Sequence, residues 1–221
     1  MADRREFLGS LIAAGAAARV DGLMEPSSSP DPGASGVTWL KRIRGKHRAV
    51  FDSPRDDVTG ILRAWIWLNQ CRGLLGARDK DCTAVVVLRH AGATLAMNDA
   101  FWDRYEVPLT GSTPEKPNIP RRNPQMTGVL KELPGTLPTP ARPWAQGVGL
   151  DALIDRGGIV VVCGFAFWYV MSRVMTHDKV DEDRARAVAE SHLVPGISIA
   201  PSGFFALAAA QEHGCGFVTN V

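Results

Sequence analysis

The most reactive side-chain type in this sequence is cysteine, and one of the four, Cys163, stands where the fold could activate it. Gly157-Gly158 precedes a short β-branched run, Ile159–Val162, too short for a helix and typical of a strand buried on both faces. That strand delivers Cys163 to its end. Gly164 then gives the backbone room to turn, and an aromatic-rich helical segment runs on to Thr176. A cysteine at such a turn lies beside a helix N-terminus, whose partial positive charge favours thiolate over thiol. A thiolate is the nucleophilic form of the side chain, able to attack an electrophilic centre or to exchange with another sulfur. The plainer reading is a packed core cysteine. Phe165, Phe167, Trp168 and Tyr169 crowd it, and a thiol in apolar surroundings has a raised pKa and is inert. The same aromatics suit a subunit interface or an apolar ligand pocket.

The partners such a thiol needs are found at other strand ends. His90, at the end of the run Thr83–Leu88, is placed to take the thiol proton or to pair with its anion. Arg89 beside it is placed to hold a small anion. Ser202, after the strand Ile197–Ala200, adds amides that bind an anion, although its simplest role is a helix cap. Cys163 and His90 alone fall short of the usual four zinc ligands, and no C-x-x-C pair is present, so neither a metal nor a cofactor is expected. His177, His192 and His213 fall on predicted helices and take no role.

The elements that position these residues alternate. A first strand is expected at His47–Phe51, followed by a helix with Ser53 as N-cap, Pro54 in its first turn and Gly73 and Gly76 at its end. Thr83–Leu88 is a second strand and Asn98–Tyr105 a helix. Residues 106–147 carry nine prolines and read as an insertion laid over one end of the domain. Helices follow at Leu150–Arg156 and Glu182–His192, then the strand Ile197–Ala200, an Ala-rich helix to Gln211 and a fifth strand, Cys215–Thr219. Strand and helix in alternation imply an α/β fold with a parallel sheet covered on both faces. Ligands bind such sheets at the carboxyl edge. Asp52, Ser53, Arg89, His90, Cys163 and Ser202 fall on that edge, while Cys71, Cys82 and Cys215 fall on the opposite one. Cys71 and Cys82 flank one short turn there, so a disulfide is expected between them, with Cys215 as the competing partner.

The N-terminus bears on compartment. Arg4-Arg5 precedes a weakly apolar stretch, Leu11–Ala18, ending in Ala16-Ala17-Ala18, the pattern of a twin-arginine export signal over residues 1–20. The stretch is far short of the roughly 20 residues a bilayer crossing needs, so no stable membrane span is expected. The mature chain is then periplasmic or otherwise exported, where disulfides persist. Residues 21–45 read as a Pro/Ser/Gly and basic linker, and 46–221 as a single domain. A formal net charge of +2 and the lack of an aromatic-interleaved basic surface argue against a nucleic-acid partner.

Cys163-Gly164, Val194-Pro195-Gly196-Ile197, Pro201-Ser202-Gly203-Phe204 and Gln211-Glu212-His213-Gly214-Cys215, taken in order, resemble the DsrE/DsrF-like family. Leu88-Arg89-His90 and Met97-Asn98-Asp99-Ala100-Phe101-Trp102 resemble its exported branch, which carries twin-arginine signals and a proline-rich insertion. The resemblance spans residues 46–221 and implies a three-layer α/β/α sandwich around a five-stranded, mainly parallel sheet. It also implies a homo-oligomer, trimer or hexamer, that relays sulfur through a persulfide on Cys163, from a sulfane-sulfur donor or small anion to an acceptor protein. Cys163 and His90 are then the candidate catalytic residues, with Arg89, Ser202, Gly164 and Asn98 binding substrate. The alternative is a non-catalytic oligomeric module that binds a small hydrophobic ligand or a partner protein at the same edge.

Overall fold

The computed structural model describes residues 36–219. The export-signal segment 1–20 and most of the linker lie outside them. Its strands are β1 (His47–Ser53), β2 (Cys82–Leu88), β3 (Ile159–Cys163), β4 (Ser198–Ala200) and β5 (Gly216–Val218). They form one sheet in the order β4-β3-β2-β1-β5, with every neighbouring pair parallel. The principal helices are α1 (Thr59–Leu75), α2 (Asp99–Tyr105), α3 (Leu150–Asp155), α4 (Gly164–Asp178), α5 (Glu182–Ser191) and α6 (Gly203–Glu212).

Connectivity explains the layers. The connections from β1 to β4 all move the same way across the sheet, and the last one returns from β4 to the far edge. Crossovers of one hand put helices reached in opposite directions on opposite faces. On one face Phe51, Val86, Leu88, Val160 and Val162 pack with Ile61 and Trp65 of α1, Phe101 of α2, Leu153 of α3 and Phe167 and Val170 of α4. On the other, Val50, Val85, Val87, Ile159 and Val161 meet Ala206 and Ala210 of α6. The result is a three-layer α/β/α sandwich. The alternation of side chains between faces is the period-2 pattern of strands buried on both sides.

Three boundaries differ from the sequence expectation, each for a tertiary reason. Ser53 is the last residue of β1, paired with Leu88, and its carbonyl accepts from the Arg89 amide at 3.0 Å. The sheet therefore claims the residue that local pattern assigned as a cap, and α1 begins at Thr59. Gly73 lies inside α1, while Gly76 ends it in the left-handed conformation at φ 64°. Ahead of Lys46, Trp39 and Ile43 are buried against the α6 face, so the packed domain takes in the end of the basic linker.

The proline-rich insertion is ordered by hydrogen bonds along the outer side of α1. The Thr110 amide donates to Asp56 at 2.6 Å, Trp65 Nε1 to the Gln146 carbonyl at 2.9 Å, and Asn69 Nδ2 to the Trp144 carbonyl at 2.6 Å. Asn123, fully buried, pins its middle by donating to the Leu95 and Met97 carbonyls at 2.8 and 2.7 Å. The segment is tied as well to the first turns of α2 and α3, through Arg122 to Asp99 and Thr127 to Asp151.

Candidate functional site

The carboxyl ends of β2 and β3 open into a cavity of about 230 Å³. Its lining comes from three places: Arg89 and His90 after β2, Cys163, Phe165, Ala166 and Tyr169 at the junction of β3 and α4, and Gly203 and Phe204 at the start of α6. Cys163 is the N-cap of α4, and its Sγ accepts from the Ala166 amide at 3.5 Å. A hydrogen bond from a helix N-terminus strengthens when the acceptor carries negative charge. The side chain is nearly covered, at 5% exposure, yet it forms part of the cavity wall.

Glycines bring the walls together. A Cβ on Gly164 would lie 2.8 Å from both the Ala200 and Pro201 carbonyl oxygens, so only glycine lets α4 start beside the end of β4. Gly164 therefore acts by being small. A Cβ on Gly203 would sit 3.2 Å from Arg89 Cβ and 3.3 Å from Cys163 Cβ, which places the start of α6 directly against both residues.

Arg89 is committed. Its Nε and Nη2 donate to the two carboxylate oxygens of Asp52, each at 2.6 Å, in a bidentate pair. That carboxylate is the main reason the guanidinium is held above its ordinary pKa, and the nearby Cys163 sulfur adds to the effect. His90 is exposed on the same cavity, with a left-handed backbone at φ 49°, uncommon for a residue with a side chain. It makes no hydrogen bond to Sγ.

Of the expected site residues, Gly164, Ser202 and Asn98 are not among those that line the cavity, and the last two are helix caps. Ser202 Oγ accepts from the Phe205 amide at 3.1 Å and caps α6. Asn98 Oδ1 accepts from the Phe101 amide at 3.0 Å and caps α2, while its own amide donates to the His192 carbonyl at 2.8 Å. Both have the structural role that their residue types and positions favour. Ser53, also on the carboxyl edge, is fully buried.

The aromatics separate into two groups. Phe167 is fully buried in the core, whereas Phe165, Tyr169 and Phe204 rim the cavity at 72%, 60% and 67% exposure. Trp168 packs edge-on against Tyr169 with ring centroids 6.3 Å apart. The rings therefore surround an opening and do not seal the thiol. Sequence reasoning missed Asp52 as the partner of Arg89, and missed Gly203 and Phe204 as walls. The first pair was accessible in principle, since both residues stand at the ends of neighbouring strands.

The remaining cysteines occupy the opposite edge. The expected Cys71–Cys82 disulfide is not formed: both are thiols, as is Cys215. The two thiols do interact, which bears out their proximity. Burial pushes Cys82 up to about 11, with Cys71 and then Asp79 and Asp81 adding to it, and burial also raises Cys71. A protonated thiol is a poor nucleophile, so both react slowly near neutral pH.

Among the described residues no group of three or more His, Cys, Asp or Glu side chains is placed to hold a metal ion. No helix among them is long and apolar enough to cross a membrane. Fold and site together define a parallel α/β/α sandwich with a cysteine-bearing, aromatic-rimmed pocket at the carboxyl edge of its central strands. No protein-family model matches the chain, and no curated protein matches it in sequence.

Proposed function

We propose that this protein is an exported, DsrE-like sulfur carrier that holds a persulfide on Cys163. The observation that supports it most is the placement of Sγ, which accepts from a helix N-terminal amide and faces a pocket large enough for a small donor. In this reading the Cys163 thiolate attacks a sulfane sulfur. The donor's S–S bond breaks, and its electron pair leaves on the rest of the donor, as a thiolate or a shorter polysulfide, or as sulfite where the donor is thiosulfate. His90, exposed at the pocket lip, takes the thiol proton, and the Arg89–Asp52 pair fixes one wall. No cofactor is needed for such an exchange, and an acceptor protein collects the sulfur by a second attack of the same kind. The exposed rings around the opening are the surface on which that acceptor, or further copies of this chain in a trimer or hexamer, would dock. Export through the twin-arginine pathway rests on the Arg4-Arg5 segment.

A second reading has its own support. Cys163 is largely covered and the pocket walls are mostly apolar, which suits a non-catalytic module that binds a small hydrophobic ligand. Intact-mass analysis after exposure to polysulfide or thiosulfate, beside Cys163→Ser, separates the two. The carrier reading predicts a reducible one-sulfur gain on the wild type that is absent from the variant. No gain with any donor would leave the binding module.

A further inference from the structure

The chemistry of the pocket also selects among donors. We infer that the sulfur donor is an organic hydropersulfide of low charge bearing an apolar ring or branched chain, and not a dianion such as thiosulfate. This inference rests on the carrier reading of Cys163.

The first support is charge. Arg89 is the cation at the pocket, and Asp52 already occupies its Nε and Nη2 in a bidentate pair that is neutral as a unit. A dianion entering here would give up its hydration without gaining an uncompensated guanidinium, and desolvated charge is costly unless paired. What remains for an anion is the starts of α4 and α6, where the Ala166 amide is already given to Cys163 Sγ and the Phe205 amide to Ser202 Oγ. The Ala166 amide suits the single negative charge of the attacking sulfur.

The second support is shape and polarity. Phe165, Ala166, Tyr169 and Phe204 supply most of the wall, and an apolar ring placed among them is removed from water. Size agrees: an apolar cavity of ~150 Å³ takes a benzene ring. The cavity of about 230 Å³ therefore holds one ring together with an S–S–H group.

The step balances without an oxidant. The Cys163 thiol gives its proton to His90 or water, and its sulfur attacks the terminal sulfur of R–S–S–H. The Sγ–S bond forms as the donor S–S bond breaks, and its electron pair leaves on R–S⁻, which takes up a proton. Overall, a thiol and R–S–S–H become a protein persulfide and R–S–H.

The test compares initial rates of one-sulfur loading on the full-length protein with benzyl hydropersulfide and with thiosulfate. Each rate is divided by that of the same donor on a small free thiol, which removes intrinsic reactivity. The inference predicts a normalised preference for the benzyl donor of about tenfold or more, as burial of even part of a ring supplies. It also predicts that the preference collapses in Phe204→Ala, whose side chain is exposed and whose folding is checked by thermal melting. Equal or faster loading from thiosulfate, with Cys163 still the loaded residue, overturns the donor class and leaves the carrier reading standing. An undiminished preference in Phe204→Ala likewise overturns the assignment of the wall. Loading from neither donor overturns the carrier reading and this inference with it.

Discussion

Cys163 and the Cys71–Cys82 pair lie at opposite ends of the same parallel strands, and the direction of those strands gives them opposite surroundings. At the carboxyl end the chain leaves β3 straight into the N-terminus of α4, so the Ala166 amide donates to the sulfur and a pocket opens beside it. At the amino end Cys71 sits in the last turns of α1, near the negative end of that helix, and Cys82 opens β2 after Asp79 and Asp81. There burial and neighbouring negative charge push Cys82 up to about 11. One residue type thus meets two surroundings, and the sheet's polarity decides which. The comparison can be attacked at either end.

The largest effect is expected from Asp52→Asn. It removes the charge that holds Arg89 and leaves a partly buried guanidinium without its partner, at a cost of about 2 kcal/mol by urea unfolding. In the same variant the normalised donor preference shifts toward thiosulfate, because Arg89 is released. A preference that stays put would show that Arg89 charge does not set donor choice.

Gly164→Ala tests the junction. Its Cβ would meet two carbonyl oxygens at 2.8 Å, and overpacking of this kind costs about 1–2 kcal/mol, read as a fall in Tm. Gly76→Ala at the other end gives the contrast. Nothing lies within 4 Å of that Cβ, so only the left-handed φ of 64° opposes it, for about 1 kcal/mol. A Gly164 variant as stable as the wild type would contradict the packing of α4 against the end of β4.

The amino-end pair makes a pH prediction. Burial raises the Cys82 thiol from 9.0 to about 11 in the fold, so the unfolded chain loses its proton first as pH rises. The stabilisation is complete below pH 9 and is lost as pH climbs through about 11. The double variant Cys71→Ala/Cys82→Ala should flatten that part of the stability curve relative to wild type, measured by urea midpoints across the range. An unchanged slope would remove the pair as its source.

The smallest stability effect belongs to Phe204→Ala. The ring is 67% exposed, and its loss should change stability by less than about 0.5 kcal/mol while reducing loading from an apolar donor. A large loss of stability would mean the ring is packing rather than pocket.

The sheet was legible because β2 and β3 are continuous β-branched runs that only a doubly buried strand explains. Cys163, Arg89 and His90 came together because topology alone puts strand ends on one edge. What escaped depended on residues far apart in sequence. Ser53-Pro54-Arg55-Asp56 satisfies every local helix-start rule, yet pairing of Ser53 with Leu88 overrides it. The Asp52–Arg89 pair joins residues 37 apart, and nothing local marks it. Asn98 and Ser202 were drawn into the site by their position, whereas their side chains are spent on caps. The four aromatics near Cys163 read as one apolar crowd. Helical phase then sends Phe167 to the core and leaves Phe165, Trp168 and Tyr169 outside.

The most direct test of the account is competitive alkylation of the folded, full-length protein near neutral pH, with each cysteine followed by peptide mass spectrometry. A reactive Cys163 beside an inert amino-end pair predicts that Cys163 is labelled first, by about tenfold or more over Cys71 and Cys82. Labelling of all three together, and only after urea unfolds the chain, would make Cys163 a core residue and end the carrier account.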